Sequence, residues 1–170
     1  SLRLGPIGAL VCCAGVAQQK LFQDITDEDW DRMFDINIKG VYRSIQAALP
    51  YLMKRERSRI VTFSSMWGQV GASCESHYAS SKGAVIALTQ SLAKELGPSG
   101  VRVNCVSPGT ILTDMTAVLG QETLDALAEE TPLERNGSPE DAARAAAFLC
   151  SEAADFITGQ VVAVNGGYIV

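Results

Sequence analysis

The sequence has no long apolar run, and this absence excludes a class of protein. No stretch of the 170 residues approaches the roughly eighteen apolar residues that a membrane-spanning helix needs. The first six residues, Ser-Leu-Arg-Leu-Gly-Pro, lack the apolar segment of a signal peptide. We therefore expect a cytoplasmic protein with no membrane partner.

Paired or closely spaced metal-binding and disulfide-forming residues are also absent. The sequence has one histidine and five cysteines, with no CxxC pattern and no His-Cys cluster. The cysteines are Cys12, Cys13, Cys74, Cys105 and Cys150. A disulfide framework or a structural zinc site would need ligands at close, regular spacing. We predict reduced cysteines that act as small apolar residues, and no metal site.

Positive charge is in deficit. Fourteen Lys and Arg against nineteen Asp and Glu give a net charge of -5, so the field of the whole chain repels polyanions and argues against nucleic acid as a partner. The 47% hydrophobic and 19% charged residues are typical of a folded globular protein. The length fits one domain spanning residues 1–170.

Short apolar runs alternate with longer amphipathic stretches, a pattern typical of βαβ units. We predict strands over residues 7–13, 59–65, 101–107 and 160–164. Because each run is short and mostly apolar, with β-branched residues prominent, the pattern favours a parallel sheet covered on both faces. The sequence therefore predicts an α/β fold with four parallel strands.

Helix boundaries are marked by capping residues. A capping box at residues 26–29 precedes a predicted helix that runs towards Arg55, and residues 78–96 form a second helix stopped by Gly97-Pro98. Ser138 is the predicted N-cap of a further helix, which continues to about residue 150. A shorter helix is expected around residues 121–129.

Tyr78 and Lys82 are the residues best placed for acid-base chemistry. Four positions apart on a predicted helix, they share one face, so the ammonium can approach the phenol. A neighbouring cation favours the phenolate, and we expect it to bring the pKa of Tyr78 closer to neutrality. Ser65 follows a predicted parallel strand, at the edge of the sheet where ligands bind.

These motifs resemble those of the short-chain dehydrogenase/reductase family, which carries an Asn, a Ser, a YxxxK pair and a PGxxxT segment. Asn37 lies in DINIKG, Ser65 in FSSMWG, and Tyr78 and Lys82 in YASSK; residues 108–113 read PGTILT. The resemblance covers essentially the whole sequence. It implies a Rossmann-type doubly wound parallel sheet, NADP or NAD as cofactor, and reduction of a ketone to a secondary alcohol or the reverse.

The resemblance also implies roles for four residues. Tyr78 is the general acid and base that exchanges a proton with the substrate oxygen, and Ser65 hydrogen-bonds the same oxygen. Lys82 lowers the pKa of Tyr78 and holds the nicotinamide ribose. Asn37 anchors a water molecule that relays protons to Lys82.

Two segments are implied to contact the cofactor. In the loop after the third strand these are Pro108, Gly109, the backbone of Ile111 and the hydroxyl of Thr113, followed by a substrate lid over residues 112–133. After the first strand, Cys12-Cys13-Ala14-Gly15 stands where the family usually has Asn-Asn-Ala-Gly, and the implied contacts there are Cys13, Ala14 and Gly15. Tyr78 and Lys82 complete the cofactor set.

The glycine-rich turn that seats the pyrophosphate in this family is not found in residues 1–170. We expect it, with the first strands and the residue that selects NAD or NADP, to precede residue 1. An unprotected first strand should then make the isolated 170-residue chain aggregation-prone and inactive. A catalytically inactive association module is the alternative hypothesis.

His77 beside Tyr78 could relay protons, but the four residues implied above already account for the protons, so we expect His77 to be a substrate-pocket wall or an exposed residue at the helix start. Trp30 is expected to pack, and Trp67 to pack or line the substrate pocket.

The resemblance leaves the substrate open. The lid ending and the final strand are similar to 3-oxoacyl-(acyl-carrier-protein) reductases, whereas residues 66–84 resemble a subgroup that reduces 5-aminopentanone-modified elongation factor P. The expected partners are a small or carrier-linked ketone and further copies of the chain. Apolar residues on more than one face of helices 29–55 and 78–96 predict a homodimer or homotetramer.

Overall fold

A four-stranded parallel sheet forms the centre of the protein. The computed structural model describes residues 5–170. The strands lie in the order β1-β2-β3-β4 and each adjacent pair is parallel. They are β1 Ala9–Cys12, β2 Ser58–Phe63, β3 Val101–Pro108 and β4 Val161–Val164. The predicted α/β class and its four parallel strands are confirmed.

Seven α-helices connect and flank the strands within the described residues. They are α1 Asp27–Phe34, α2 Gly40–Leu52, α3 Trp67–Val70, α4 Ser76–Leu96, α5 Asp114–Ala117, α6 Gln121–Glu130 and α7 Pro139–Cys150. The helix predicted to run from residue 27 towards Arg55 is divided by a π-helical turn, Asp35–Lys39, and ends at Leu52. The other predicted helices match within two residues at each end.

Helices pack on both faces of the central strands. On one face, α2 and α4 bury a core with β1, β2 and β3 that includes Leu52, Ile60 and Val103, none of them exposed to solvent. On the other, α7 packs against β2, β3 and β4 around Val61 and Leu149. This two-sided burial explains why the inner strands read as continuous apolar runs.

The first strand does not fit the prediction of a sheet covered on both faces. Leu10 and Cys12 belong to the core beneath α2, but the side chain of Val11 on the opposite face is 45% exposed. The physical reason is that α7, the helix on that face, packs mainly against β2, β3 and β4. Among the described residues, β1 pairs with β2 alone, so it is the predicted edge strand.

The five cysteines are unpaired thiols that differ in burial, and Cys74 and Cys150 are partly buried. Cys12 and Cys105 are buried, and burial raises the pKa of Cys12 to about 11, as expected for inert apolar residues. Cys13 is exposed at the end of β1, so the prediction that it packs as an apolar core residue is wrong.

Over residues 5–170, none of the helices is both long and apolar enough to cross a membrane.

Helix α7 begins at the predicted cap. The Ser138 hydroxyl accepts from the amide of Asp141, and the Asp141 carboxylate accepts from the amide of Ser138 at 2.8 Å. The same carboxylate receives two hydrogen bonds from Arg135. The cap orients the helix that covers three of the four strands.

We predict that Ser138→Ala lowers the free energy of unfolding by about 1 kcal/mol, because it leaves a backbone donor of the first turn without its partner. Thermal unfolding measures the effect, as a fall in Tm of roughly 2–4 °C for a chain of this size. Ser44→Ala is the control, since Ser44 lies exposed on α2 and bonds only to the Gly40 carbonyl. An equal loss in both variants would contradict the cap assignment.

Candidate active site

The candidate site lies at the carboxyl edge of the sheet, where β1, β2 and β3 end beside α4. Ser65 follows β2, and Tyr78 and Lys82 lie in the first two turns of α4. All three side chains are at least nine-tenths buried. The sequence prediction that these residues meet at one edge of the sheet agrees with the geometry.

A glycine allows the segment after β2 to contact α4 closely. A side chain at Gly68 would lie 2.7 Å from the backbone of Lys82 and 2.7 Å from the Ser64 hydroxyl. The Ser64 hydroxyl also donates to the Lys82 carbonyl at 2.8 Å. The segment that carries Ser65 is therefore fixed against the helix that carries Tyr78 and Lys82.

Lys82 is a buried cation with one direct hydrogen bond among the described residues. Its Nζ atom donates to the carbonyl of Phe63, the last residue of β2, at 3.0 Å. The residue is 5% exposed, and burial lowers its pKa. An ammonium has three donors, so two remain for a ligand.

The environment of Tyr78 differs from the sequence prediction of a lowered pKa. Burial raises the pKa of the phenol, a hydrogen bond with Ser65 opposes this, and the Glu75 carboxylate adds to the rise. The Lys82 ammonium lies over the ring, 5.8 Å from its centroid. The phenol is therefore protonated at neutral pH.

Asn37 is fully buried within the π-helical turn between α1 and α2. Its side chain accepts from the Val16 amide at 2.8 Å and donates to the Val16 carbonyl at 2.9 Å. It also donates to the Ser81 hydroxyl at 3.0 Å. The extra residue of a π turn re-aims one side chain inwards, and here it joins the segment after β1 to α4.

The segment after β1 passes close to this network. A side chain at Gly15 would lie 3.1 Å from Lys82 Nζ and 3.2 Å from Asn37 Oδ1. Cys13 and Ala14 precede it at the exposed end of β1. Only a residue without a side chain leaves the space between the backbone, the ammonium and the amide free.

The loop after β3 adjoins the loop after β4. A side chain at Gly109 would lie 2.9 Å from Asn165 Cα, and the end of β3 at Pro108 pairs with Val164. Ile111 forms a bridge with Gly137. The loop is thus held on two sides and ends at Thr113, the N-cap of α5.

The predicted lid contains α5 and α6 and is attached at its far end to the C-terminal residues. The Tyr168 hydroxyl donates to Glu130 at 2.7 Å, and the Leu133 amide donates to the Gly166 carbonyl at 3.2 Å. Trp67, two residues after Ser65, packs edge-to-face on Tyr168 with ring centroids 5.9 Å apart. The sequence did not predict the Tyr168 contacts, because they join segments that are far apart along the chain and carry no common local pattern.

The prediction that His77 would be exposed or would line the substrate pocket is wrong. His77 has no exposed surface, and Nε2 lies 3.0 Å from Gln18 Oε1. The physical reason is that the segment after β1 folds over the start of α4 and covers the ring.

Trp30 packs as predicted, stacked on Phe34 with ring centroids 5.0 Å apart. Over residues 5–170, no three His, Cys, Asp or Glu side chains gather as a metal ion would require.

The chain belongs to the short-chain dehydrogenase/reductase family. The family model described as enoyl-(acyl carrier protein) reductase matches residues 2–169. The 3-oxoacyl-(acyl-carrier-protein) reductase FabG of Aquifex aeolicus is 44% identical over 161 residues, covering 95% of this chain and 65% of that relative. FabG of Thermotoga maritima is 38% identical over 168 residues, covering 99% and 68%.

Solved structures agree in fold. A short-chain dehydrogenase/reductase of Brucella melitensis, titled glucose/ribitol dehydrogenase, superimposes with a TM-score of 0.94 at 44% identity, over 99% of this chain and 68% of that one. A gluconate 5-dehydrogenase of Burkholderia cenocepacia, in complex with NADP and tartrate, gives 0.93 at 30% identity over 98% and 66%. The chain thus spans about two thirds of the length of these proteins, and the Rossmann-type sheet is confirmed.

The residues at the edge of the sheet fit a nicotinamide cofactor, which this family uses. The space that Gly15 leaves open faces Lys82 Nζ, whose spare donors match ribose hydroxyls. Gly109 permits the close crossing of loops that shapes the opposite side of the crevice. The glycine-rich pyrophosphate turn is not among these residues.

We predict that Lys82→Met stabilises the fold by about 1 kcal/mol, because an apolar side chain of similar length avoids burying an ammonium with one direct partner. Denaturant unfolding at neutral pH measures the gain. Lys94→Met, on the exposed side of the same helix, is the control and should change little.

The stability that Lys82→Met gains over the wild type should become smaller as the pH rises. Burial lowers the pKa of Lys82 in the folded chain below its ordinary 10.5. Between the lowered pKa of the folded chain and the ordinary pKa of the unfolded chain, the unfolded chain therefore binds more protons. The stability of the wild type therefore rises with pH across that window, and the advantage of the variant falls. A destabilised Lys82→Met variant would show that the ammonium is net stabilising.

Proposed function

We propose that this chain carries the catalytic centre of an NAD(P)-dependent reductase that converts a ketone to a secondary alcohol, or the reverse. The observation that supports the proposal is the meeting of three buried groups at the end of β2, the Ser65 hydroxyl, the Tyr78 phenol and the Lys82 ammonium. Two donors and a cation suit a carbonyl oxygen that gains negative charge.

Tyr78 acts as the general acid in reduction. Its raised pKa keeps the proton on the phenol at neutral pH, which is the state an acid must have before it donates. As the carbonyl oxygen gains charge, the proton moves from the phenol to that oxygen. Ser65 donates a hydrogen bond to the same oxygen and holds it beside the phenol.

Lys82 has two tasks in this proposal. Its ammonium favours the phenolate that remains after proton transfer, an effect that grows only when the negative charge forms. Its spare donors hold the ribose of the cofactor, whose nicotinamide supplies or accepts the hydride when bound. Asn37 keeps the segment with Gly15 at a fixed distance from α4.

The remaining cofactor contacts are assigned to two loops. Cys13, Ala14 and Gly15 lie on one side of the crevice, and the loop from Pro108 and Gly109 to Ile111 and Thr113 lies on the other. The Ile111 carbonyl already accepts from Thr116 at 2.8 Å, so the backbone is held for contact through its remaining groups. Either NADP or NAD fits these residues.

We propose a carrier-protein-linked 3-oxoacyl group as substrate. Support comes from relatives named 3-oxoacyl-(acyl-carrier-protein) reductase at 37–44% identity. A modified elongation factor P bearing a 5-aminopentanone is the second substrate to test, on the resemblance of residues 66–84. Oxidation of NADPH and NADH against both ketones discriminates between them.

We predict that Tyr78→Phe in the full-length gene product lowers kcat at least a hundredfold, because the transferable proton is lost. Affinity for the cofactor, measured by fluorescence titration of NADPH, should change less than about threefold, because the ring and its packing remain. The measurement is the initial rate of NADPH oxidation with a 3-oxoacyl thioester.

Two further variants accompany this experiment, a control at Tyr51 and a test of Ser65. Tyr51→Phe removes a hydroxyl from an exposed ring on α2 and should leave turnover unchanged. Ser65→Ala should lower kcat with little effect on cofactor affinity, since one of two hydrogen bonds to the oxygen is lost. Turnover retained by Tyr78→Phe would refute the acid assignment, and a wild type inactive on every ketone would favour the association module.

We also propose that the protein is a homodimer or homotetramer. The side chains of Tyr42, Tyr51 and Met53 are about half exposed on more than one face of α2 and at its end, and further copies of the chain would cover these large apolar groups. Multi-angle light scattering at micromolar concentration should give the mass of two or four chains. A strictly monomeric mass would contradict the proposal.

A further inference from the structure

The buried histidine beside Tyr78 is held by a side-chain network that the proposed reaction does not use. His77 lies in the first turn of α4 with no exposed surface, and its Nε2 atom is 3.0 Å from Gln18 Oε1. Its Nδ1 atom is also buried and has no hydrogen-bond partner among the described residues. A buried ring nitrogen of this kind needs an explanation.

Gln18 connects the histidine to a carboxylate. Gln18 Nε2 donates to Asp29 Oδ1 at 3.1 Å, and Asp29 Oδ2 accepts from Lys20 Nζ at 2.5 Å and from the Thr26 amide at 3.1 Å. Hydrogen bonds from Lys20, from the Thr26 backbone and from Gln18 hold the pKa of Asp29 well below its ordinary value. Asp29 is therefore an ionised group that only accepts hydrogen bonds.

The ionised Asp29 carboxylate determines which atoms of Gln18 and His77 donate and which accept. Because Asp29 accepts, the NH₂ group of Gln18 must face it, and the Gln18 carbonyl oxygen must face the imidazole. A carbonyl oxygen also only accepts, so His77 Nε2 carries the proton. Since Nδ1 has no acceptor and lies out of water, a second proton there would bury an unpaired charge. The ring is then neutral, with its proton on Nε2.

The start of α4 depends on contacts of this kind. Glu75, the residue before the helix, makes no side-chain cap, so the first turn lacks the usual means of fixing its geometry. The segment after β1 supplies replacements: the Lys20 amide donates to the Cys74 carbonyl at 2.7 Å, and the Gln18 carbonyl oxygen accepts a hydrogen bond from His77 Nε2. Tyr78 is the next residue along the helix.

We propose that Asp29, Gln18 and His77 form a positioning relay that fixes His77 as the neutral Nε2–H tautomer and thereby orients Tyr78 for proton transfer. The role of Tyr78 rests on the proposed function, whereas the tautomer does not. His77 is a positioning residue, because it acts through the helix turn and through no reacting atom.

The charges around the ring oppose one another. Asp29 favours the imidazolium, Lys20 disfavours it, and Glu75 lies two positions earlier on the chain and carries its own half-buried carboxyl. Burial is the largest influence and lowers the pKa of His77. The relay and the burial thus act in the same direction, towards the neutral ring.

Nitrogen-15 NMR tests the tautomer directly, and His77 is the only histidine in the sequence, so its signals need no assignment. We expect the neutral Nε2–H pattern at pH 8 to persist as the pH falls through the ordinary histidine pKa of ~6.5. Titration near the ordinary pKa of ~6.5, or a proton on Nδ1, would overturn the proposal.

Adding a negative charge at Gln18, the middle residue of the relay, tests the contact with His77. Gln18→Glu places a carboxylate against Nε2, so we expect the pKa of His77 to rise by at least about one unit and an imidazolium to appear. Gln19→Glu is the matched control: it adds the same charge one position away, where the glutamine contacts Glu75 at the surface. An equal response of His77 to both changes would refute a specific contact.

Turnover of the full-length gene product tests the positioning role. His77→Leu should lower kcat about tenfold or more, with cofactor KM within about twofold, because Tyr78 is displaced while the crevice remains. His77→Gln keeps a donor near the same place and should recover most of the loss. In Gln18→Glu, kcat should acquire a step at the pH where NMR shows His77 titrating, and turnover indifferent to all three changes would overturn the positioning role.

Failure of the proposed function can be distinguished from failure of the relay. If the wild type reduces no ketone, the proposed function fails and the phenol of Tyr78 becomes the readout, followed with carbon-13 labelled tyrosine. His77→Leu should then lower the raised pKa of Tyr78 by at least about half a unit through greater solvent access, and Gln19→Leu should not. A Tyr78 titration unchanged by His77→Leu would refute positioning.

Discussion

The site depends on the burial of one positive charge at the end of a parallel strand. Lys82 Nζ donates to the Phe63 carbonyl, and the surrounding helix and strand keep the ammonium out of water. A buried ammonium with unused donors is unfavourable for stability, and its value lies in the ligand that can satisfy it. The neighbouring groups are arranged around this constraint: Gly68 lets the chain after β2 contact the helix, and Gly15 leaves the space beside Nζ open.

The parallel sheet explains why the required groups meet. Parallel strands end at the same edge, so residues far apart in sequence, such as Gly15, Ser65 and Gly109, are brought to one crevice without any local motif that joins them. The connections then fix α4 from two directions. Asn37 bonds both to Val16 and to Ser81, and Gln18 bonds to His77, so the segment after β1 is attached to α4 at two successive turns.

Much of this could be predicted from the sequence, for identifiable reasons. The strands β2 and β3 are continuous apolar runs because both of their faces are covered, and the start of α7 is marked by Ser138 and Asp141. Tyr78 and Lys82 share a helix face through their spacing alone. These features are local, or they follow from a regular period.

Other features depend on which segments meet, and the sequence carries no local signal for that. A YxxxK spacing places an ammonium near a phenol, but only the fold shows that burial and the Glu75 carboxylate raise the pKa of Tyr78 against the hydrogen bond with Ser65. Likewise nothing in residues 18–20 indicates that they cover His77. Among residues 5–170, the hydrogen-bond acceptor for that imidazole comes from a loop fifty-nine positions earlier, so tertiary structure sets the state of the ring next to the proposed acid. The position of the ring proton follows from the hydrogen bonds that link the ring through Gln18 to Asp29.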